Sequence, residues 1–324
     1  MTIAVTGSMA FDYIMSFDGS FTDYIMPEQL ERLSISVLVD SLRRERGGTA
    51  GNIAYNLALL GQKPLLMASV GNDAADYIAD LEARGVDTSA VLHVPEVLTA
   101  SFFVSTDRGN RQIANFFIGA MAQSGQVRFD AQNYRDIKLA TISPNAPQAM
   151  ADYVTECKTL GVPYVYDPSQ QIPLFTKEQL IDGIDGAQIL IVNDYEFELI
   201  KQRTGMTLAQ MRQMAKAIII TKGEHGSTIY TADEQIDIPA IATDAVLDPT
   251  GAGDAYRAGL MAGLVNGLSL PDAGRLGTLT ATYAIEAHGT QKHHYSVDEF
   301  AARYADNFEV SPDVLAFFEA LNEK

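Results

Sequence analysis

The stretch Leu247–Gly259, which reads LDPTGAGDAYRAG, organises the rest of the chain. An extended segment stops at a proline turn, and two glycines then open an apolar helix that carries Asp254 in its first turn. Because the first N–H groups of a helix lack partners within it, we expect those of Gly251, Ala252 and Gly253 to form an anion site. Asp254 would repel a resting phosphate, but it suits a reaction in which it takes a proton from an attacking hydroxyl.

This stretch could also be a capped helix start, a dinucleotide-binding fingerprint or a Walker A motif, and each of these needs a different residue pattern. A plain helix start with glycine caps fits the local pattern equally well and needs no function. A dinucleotide fingerprint would need a small residue where Tyr256 stands. A Walker A motif is excluded too, because no Gly-Lys-Ser/Thr tripeptide follows a glycine loop. The stretch alone therefore leaves two alternatives, a phosphoryl-transfer site and a capped helix.

Composition limits the class of protein. The chain has 324 residues, of which 47% are hydrophobic, so it can bury a full core. A net charge of −18 argues against a nucleic-acid surface. Any site for a polyanion such as a nucleotide must then be built locally, from backbone amides, a few Lys or Arg side chains, or a metal ion.

The same composition bears on location. Cys157, the one cysteine, falls in a helical pattern and is expected in the core, and a disulfide framework is excluded. The start of the chain reads as a buried strand rather than a signal peptide, and no run of 18 apolar residues would span a membrane. These features predict a cytoplasmic protein with no membrane or nucleic-acid partner.

Strands and helices alternate regularly from residue 137 onward. Strands are expected at 139–143, 164–167, 189–193 and 218–221, with helices at about 146–160, 177–184, 194–201 and 208–216 between and after them. This rhythm predicts right-handed βαβ units and a mainly parallel sheet with helices on both faces. Polar residues follow several of these strands, which predicts a ligand crevice at their carboxyl ends. Further on we expect a hairpin at 226–239, helices at 251–266 and 271–288, and a surface helix at 307–323.

The first third of the chain predicts a small β lid. Strands are expected at 13–17, in the alternating segment 33–39, and in a hairpin of 99–104 with 112–117. The run Arg43–Arg46 is expected on a solvated face. Phe102 and Phe116 belong to the hairpin, where core packing and contact with a flat ligand are equally compatible with their type. We predict one domain over 1–324, with the lid formed from about 13–46 and 98–118.

Two further candidates lie before the lid hairpin. Asp12 follows the first strand and would lie at the ligand edge of the sheet, unless it is a simple turn residue. Gly47 and Gly48 begin a second glycine-rich helix start, in which Asn52 is either a plain cap or points at a ligand.

In these motifs the sequence resembles the ribokinase-like (PfkB) kinases over nearly its whole length. The matching features are Asp248–Asp254 as the carboxyl-terminal signature, Gly47-Gly48 with Asn52, Gly7 with Asp12, Asn193 with Glu196, and Thr221 with Gly223 and Gly226. Within the family, the segments 6–12, 33–40, 47–61 and 167–171 most resemble bacterial adenosine kinases.

The resemblance implies a doubly wound α/β fold with a β lid, and transfer of the ATP γ-phosphoryl group to a primary hydroxyl. It implies that Asp254 is the general base and that the amides of Gly251, Ala252 and Gly253 stabilise the transferring group. It implies further roles in binding ATP and ions, with Mg²⁺ held mainly through water. These fall to Asn193 and Glu196 for Mg²⁺ and phosphates, to Thr221, Gly223 and Gly226 for ATP, and to Asp248 and Thr250 for a monovalent cation such as K⁺ found in some members.

For the acceptor, the resemblance implies that Asp12 accepts the two ribose hydroxyls while Gly48 and Asn52 close around the sugar. The rest of a nucleoside pocket would come from Ser8, Ser36, Phe102, Phe116, Gln170 and Gln171. Adenosine is the expected acceptor. The alternatives are a furanose such as ribose or fructose, another nucleoside, or a non-catalytic sensor, against which Asp254 argues. The resemblance also implies a homodimer through the lid edges.

Four histidines in the sequence do not form a metal-binding motif. His225, His288, His293 and His294 lack a metal-ligand spacing, and we expect them at the surface or at helix ends.

Overall fold

A sheet of eight strands forms the centre of the molecule, and a second sheet has four strands, which are called the lid because they correspond to the predicted β lid. The computed structural model describes residues 2–25, 31–32, 34–129 and 136–322. The strands are β1 (Thr2–Thr6), β2 (Ala10–Phe17), β3 (Ser41–Gly47), β4 (Leu65–Met67), β5 (Ser69–Val70), β6 (Leu92–His93), β7 (Ala100–Asp107), β8 (Gln112–Phe117), β9 (Ile137–Ile142), β10 (Tyr164–Tyr166), β11 (Ile189–Asn193), β12 (Ile218–Thr221), β13 (Ser227–Tyr230) and β14 (Gln235–Ile238).

The central sheet has the order β14-β13-β12-β11-β10-β9-β1-β4. From β4 to β12 neighbouring strands are parallel, whereas β13 and β14 continue the sheet as an antiparallel hairpin. The first strand, β1, lies inside the sheet, and the later strands extend the sheet on both sides of it. The strand order therefore reverses at β1. Ligands of open α/β sheets bind at the carboxyl ends of strands beside such a reversal. The predicted fold class is confirmed.

The helices are α1 (Thr49–Leu59), α2 (Ala75–Ala83), α3 (Pro147–Leu160), α4 (Lys177–Ile184), α5 (Asp194–Thr204), α6 (Leu208–Met211), α7 (Ala252–Val265), α8 (Leu270–Ile285), α9 (Val297–Asn307) and α10 (Pro312–Asn322). Several begin with local signals. Thr176 and Gln179 form a capping box at α4, and Pro147 occupies the first turn of α3, where its missing N–H costs nothing.

The prediction for the end of the chain was wrong in two ways. It missed α9, and it placed a surface helix where α10 buries Val314, Phe317 and Phe318. The apolar residues of α10 pack against Phe300 of α9, and an amphipathic helix is exposed only when nothing covers its apolar face. Glu323, the last residue of the predicted helix, lies outside the described residues.

The lid sheet has the order β3-β2-β7-β8, in which β2 and β7 are parallel. The alternation at 33–39 wrongly predicted a strand. Residues 34–40 are irregular, the neighbouring strand is β3, and Leu33 lies outside the described residues. All residues of β8 are exposed along the edge of this sheet. Pairing of two chains through that edge remains a prediction.

The run Arg43–Arg46 is part of β3 rather than a merely solvated face. The guanidinium group of Arg44 lies 3.6 Å from the centre of the buried Phe11 ring. Arg46 forms an ion pair with Asp80 of α2 at 2.8 Å. Long cationic side chains can cover apolar surface while their charged ends reach partners: Arg44 covers a ring of the neighbouring strand β2, and Arg46 attaches the lid to α2 of the body.

Cys157 is buried, as expected. In the described part of the chain, no helix is both long and apolar enough to cross a membrane.

Helices α7 and α8 form a tightly packed pair. A Cβ atom added at Gly277 would lie 2.7 Å from the backbone oxygen of Tyr256, and one at Gly259 would lie 2.6 Å from the oxygen of Leu276. Glycine at these positions lets the two backbones approach. The close contact fixes the position of α7, the helix whose first turn carries Asp254.

We therefore expect Gly277→Ala to lower the free energy of unfolding by roughly 1–3 kcal/mol, because backbone must move to make room. Gly125→Ala is the matched control, since a Cβ atom there would meet nothing within 4 Å. Denaturant unfolding of both variants measures the difference. Equal stability of the two would show that the helices have room to separate.

Candidate active site

The polar residues that follow the parallel strands gather at one edge of the central sheet. Asn193 ends β11, Thr221 ends β12, and Asp167 comes directly after β10. The strands β11 and β12 pair Asn193 with Thr221 in register. The start of α7 lies at the same edge, and Arg257 of that helix forms an ion pair with Asp167. The predicted crevice is therefore present.

A cavity of about 630 Å³ opens beside this edge. Three residues of the predicted nucleotide site, Thr221, Gly223 and Gly226, line it, as do Ala252 and Gly253 at the start of α7. The cavity thus joins the predicted nucleotide-binding turn to the predicted anion site.

Much of the cavity wall was not foreseen. Tyr256 lines it, with its hydroxyl 2.8 Å from Ser227 Oγ. Thr278, Thr282 and Ile285 contribute from α8. The sequence shows these residues only as one face of a helix, a pattern that indicates burial but not what is buried there.

Asp254 lies in the first turn of α7 and is buried. Its Oδ2 atom accepts a hydrogen bond of 2.8 Å from Asn52 Nδ2, and Arg257 Nη1 lies 3.6 Å from its Oδ1 atom. Burial raises the pKa of Asp254, while Arg257 and the hydrogen bond from Asn52 oppose that rise. Asn52 does not cap its own helix; it joins α1 to the predicted base.

The backbone around the start of α7 has the geometry of an anion site with one modification. Gly251 has φ 81°, a left-handed conformation that favours glycine. The N–H of Ala252 donates a long hydrogen bond of 3.3 Å to the carbonyl of Pro249, so it is partly occupied and is not the free donor that was expected.

Asp12 lies on β2 of the lid, close enough to the body to sense its charges. Burial, followed by the carboxylates of Asp248, Asp254 and Glu45, raises the pKa of Asp12 to about 6. A Cβ atom at position 47 would lie 2.4 Å from Asp12 Oδ2, so a side chain there would displace the Asp12 carboxylate. The structure therefore brings the predicted acceptor carboxylate near the predicted base.

The lid register places aromatic side chains beside Asp12. Phe102 pairs with Asp12, and Phe116 pairs with Phe102. Residues directly opposite one another on neighbouring strands share a face of the sheet. The three side chains therefore lie in one row on one face, with Phe116 half exposed at the edge.

The other residues predicted to bind the substrate differ in burial, and not all of them contact the site. Ser8 is buried and its Oγ accepts the Thr49 N–H at the start of α1, while Gly48 has φ 86° and packs against the backbone of Ser8. Gln171 is largely buried, but its neighbour Gln170 is exposed. Ser36 is exposed in the irregular segment 34–40, and no hydrogen bond among the described residues joins it to the site.

Asn193 and Glu196 form a capping box at the start of α5. Asn193 Oδ1 accepts the Glu196 N–H at 2.7 Å, and Glu196 Oε2 accepts the Asn193 N–H at 2.9 Å. Glu196 Oε1 accepts a further hydrogen bond from Ser169 Oγ at 3.0 Å. Both carboxylate oxygens are already engaged, which suits a metal ion held through water better than one held directly.

Asp248 and Thr250 are joined by a local hydrogen bond. Asp248 Oδ1 accepts the Thr250 N–H at 2.9 Å, and its Oδ2 accepts the Gly289 N–H at 3.1 Å. Burial works against ionisation of Asp248, but these hydrogen bonds outweigh it and leave its pKa below the usual value. A cation site here remains a prediction.

Sequence reasoning missed a network behind the base. Asn52 Oδ1 accepts a hydrogen bond of 2.9 Å from Gln291, which also contacts the hydroxyl of Tyr77. The Tyr77 hydroxyl donates to the carbonyl of Gly47 at 2.9 Å. Asp254 is thus connected to the end of β3 in the lid. No sequence signal marks Tyr77 or Gln291, because they meet only in the fold.

The expectation for the histidines was wrong at His293. It is buried, with Nε2 2.7 Å from Asn56 Oδ1, whereas His225, His288 and His294 are exposed. Burial lowers the pKa of His293 to about 4, so it is a neutral packing residue. Among the described residues, no group of three or more His, Cys, Asp and Glu side chains could hold a metal ion.

Comparison with known proteins places this site in a family. Residues 11–295 match the pfkB family carbohydrate kinases. A nucleoside kinase of Methanocaldococcus jannaschii is 31% identical over 306 residues, which cover 93% of this chain and 96% of that protein. The solved Burkholderia thailandensis nucleoside kinase in complex with inosine is 38% identical, with a TM-score of 0.84 over 95% of this chain and 98% of that one. The Sinorhizobium meliloti adenosine kinase, 21% identical with a TM-score of 0.73 over 94% and 98%, shares the fold.

Fold, site and comparisons together define a phosphotransferase that acts on a hydroxyl group. The chain belongs to the pfkB family of carbohydrate kinases, and among these it is a nucleoside or sugar kinase. The predicted family and enzyme class are confirmed.

A substitution in the turn at Gly226 tests whether the cavity binds the nucleotide. Gly226 has φ 78° and ψ −140°, and a Cβ atom there would lie 2.1 Å from the oxygen of Ile238. We expect Gly226→Ala to lower both the melting temperature and the affinity for ADP, the latter by roughly tenfold or more, which is about 1.4 kcal/mol.

Gly223→Ala is the matched control, because Gly223 also has a positive φ of 56° but no atom within 4 Å of an added Cβ. It should lose only the roughly 1–2 kcal/mol of a left-handed alanine. Calorimetric titration with ADP compares them. Unchanged ADP binding by a folded Gly226→Ala protein would contradict the assignment of the cavity.

Proposed function

We propose that this protein is an ATP-dependent nucleoside kinase that phosphorylates the primary hydroxyl of a purine nucleoside, with adenosine, giving AMP, as the expected acceptor. The observation that carries the proposal is the row formed by Asp12, Phe102 and Phe116 on one face of the lid. A carboxylate that accepts two vicinal hydroxyls matches ribose, and a flat apolar slot beside it matches a base, which a free sugar would not need.

The comparisons support a nucleoside acceptor. The Burkholderia thailandensis protein is also solved in complex with ADP-inosine, at 39% identity and a TM-score of 0.82. That protein and the Methanocaldococcus jannaschii relative are both called nucleoside kinases, without restriction to adenosine. Inosine is therefore the second purine nucleoside to test.

In the proposed reaction, the acceptor hydroxyl lies between Asp254 and the γ-phosphorus of ATP. The new bond forms between the hydroxyl oxygen and that phosphorus, while the bond from the phosphorus to the β–γ bridging oxygen breaks and ADP leaves with the electron pair. Asp254 takes the hydroxyl proton. Backbone N–H groups at the start of α7, those of Gly251 and Gly253, stabilise the negative charge on the transferring group. This electrostatic stabilisation is the major contribution in such reactions.

The donor would occupy the cavity lined by Thr221, Gly223 and Gly226. Mg²⁺, when bound with the nucleotide, neutralises charge on the phosphates. The engaged oxygens of Glu196, together with Asn193, fit an ion that keeps most of its water. The chain's own task at this position is to hold Glu196 through Asn193 and Ser169.

An acceptor panel tests the proposal. Adenosine, inosine, ribose, fructose and 2′-deoxyadenosine are compared with ATP and Mg²⁺, and ADP release is measured. We expect kcat/KM to be highest for a purine ribonucleoside. The 2′-deoxy compound should lose roughly 10–100-fold, because one charged hydrogen bond to Asp12 is worth about 1.5–3 kcal/mol. Faster turnover of ribose or fructose would make the protein a sugar kinase instead.

The role of the base is tested by Asp254→Asn. We expect this variant to bind ADP almost as well as the parent, since Asn keeps the shape of the side chain. Turnover should fall by about 10²–10⁴-fold, because the proton acceptor is lost. Asp306→Asn, at an exposed position of α9 that does not line the cavity, is the control that should retain activity. Near-normal turnover by Asp254→Asn would remove Asp254 as the base.

A further inference from the structure

Arg257 and Asp167 form a buried charged arrangement with Asp254. Arg257 lies one turn after Asp254 on α7, with Nη1 3.6 Å from Asp254 Oδ1. Its Nη2 atom lies 2.5 Å from Oδ1 of Asp167, which follows β10 and is completely buried. The guanidinium group therefore links the proposed base to the end of a different strand.

This arrangement is a poor device for stabilising the fold. Taking three charges out of water is costly, and attraction repays that cost only when every remaining donor and acceptor is satisfied. Here Asp167 Oδ2 and Arg257 Nε are buried, and neither has a hydrogen-bond partner in the described part of the chain. A buried ion pair that leaves one carboxylate oxygen and one guanidinium N–H without hydrogen bonds calls for an explanation other than stability.

The backbone beside Asp167 also carries strain. Ser169 has φ 39°, a left-handed conformation that non-glycine residues rarely adopt. Its side chain donates a hydrogen bond to Glu196. Strained residues cluster at functional sites, where the surrounding structure holds them in place. The segment after β10 is thus shaped around two carboxylates, Asp167 and Glu196.

The charges that face Asp254 come from several elements. Arg257 is the cation, and Asn52 of α1 is a neutral donor. Together with burial, the charge of Asp254 raises the pKa of two further carboxyl groups, Asp12 of β2 and Asp167 after β10. It also raises the pKa of Tyr77 of α2, which is the remaining titratable group. Glu196 of α5 acts on Arg257 and Asp167.

These positions define what each group does to a proton acceptor. Arg257 stays cationic at any working pH, and alone it would hold Asp254 strongly as the carboxylate and weaken it as a base. Asp167 offsets that charge and at the same time fixes the direction of the guanidinium fork. Asn52 and Arg257 then hold opposite oxygens of Asp254.

We propose that Arg257 and Asp167 are positioning residues for Asp254: Asp167 orients and neutralises the guanidinium group, which in turn orients the carboxylate that receives the hydroxyl proton. This inference rests on the proposed phosphoryl transfer to a nucleoside. It assigns a function to two buried residues that touch neither the nucleotide cavity nor the lid row.

The test is the pH profile of the chemical step, measured by single-turnover formation of nucleoside monophosphate so that product release does not obscure it. In Asp167→Asn the guanidinium charge is no longer offset, and we expect the acidic limb to move down by about one pH unit. In Arg257→Gln the cation is lost, and we expect the limb to move up by about one pH unit or more, with a lower rate at neutral pH.

Two further variants separate charge from shape. The double variant, with Asp167→Asn and Arg257→Gln, removes both charges, so its acidic limb should return toward that of the parent while its rate stays low. Arg257→Lys keeps the charge without the planar fork, so its limb should stay within about 0.5 pH unit of the parent at a reduced rate. If Arg257→Gln does not fold, Asp167→Asn and Arg257→Lys still decide the question.

Asp272→Asn is the matched control. Asp272 is also buried and forms an ion pair within its own helix, with Arg275 at 2.8 Å, but it lies on α8 and accepts a further hydrogen bond from Ser311. It should lose stability without moving the limb. A folded Asp167→Asn protein whose limb stays at that of the parent, as in Asp272→Asn, or a folded Arg257→Lys protein that keeps the full rate of the parent, would overturn the positioning role. Failure of the parent to phosphorylate nucleosides, or full activity of Asp254→Asn, would instead overturn the proposed function.

Discussion

The burial of one carboxylate, Asp254, constrains the surrounding structure. A buried carboxylate is costly unless hydrogen bonds and an opposite charge compensate for lost water. Asn52 from α1 and Arg257 from α7 supply that compensation. Each of these groups is itself held, Asn52 by Gln291 and Arg257 by Asp167. Helix α1, the segment after α8 and the end of β10 are therefore tied to one position through polar contacts.

The same position depends on close backbone packing. Glycines at 259 and 277 bring α7 and α8 together, and α8 also forms part of the cavity wall. The cavity and the carboxylate thus share one rigid support. The lid differs, because charged side chains of β3 attach it to the body and its far strand β8 is exposed.

Motifs whose chemistry is local were predictable from the sequence. The start of α7 needs Gly251 for its left-handed turn, and Asn193 and Glu196 need only three residues of spacing to form a capping box. The alternation of strands and helices determined the parallel sheet, and hence the edge at which these motifs meet. The β lid was predicted in outline, but one of its strands was predicted at 33–39. In the structure that strand is β3, at 41–47. An alternating pattern indicates a strand only if a partner strand lies next to it, and β2 pairs with 41–47 instead.

By itself, then, the sequence indicated the family through the resemblance of its motifs and the fold class through its alternation of strands and helices, and it named the candidate site residues. Only the tertiary structure decided that Asp12, Phe102 and Phe116 share a row, since this needs the register of three strands. It also decided that Arg257 and Asp167, 90 positions apart, form an ion pair beside Asp254, and that His293 is buried. Such relations depend on the packing of distant segments. The stretch Leu247–Gly259 therefore supplies the start of α7 and the carboxylate of Asp254, and the segments that fold around it set the environment in which Asp254 would act.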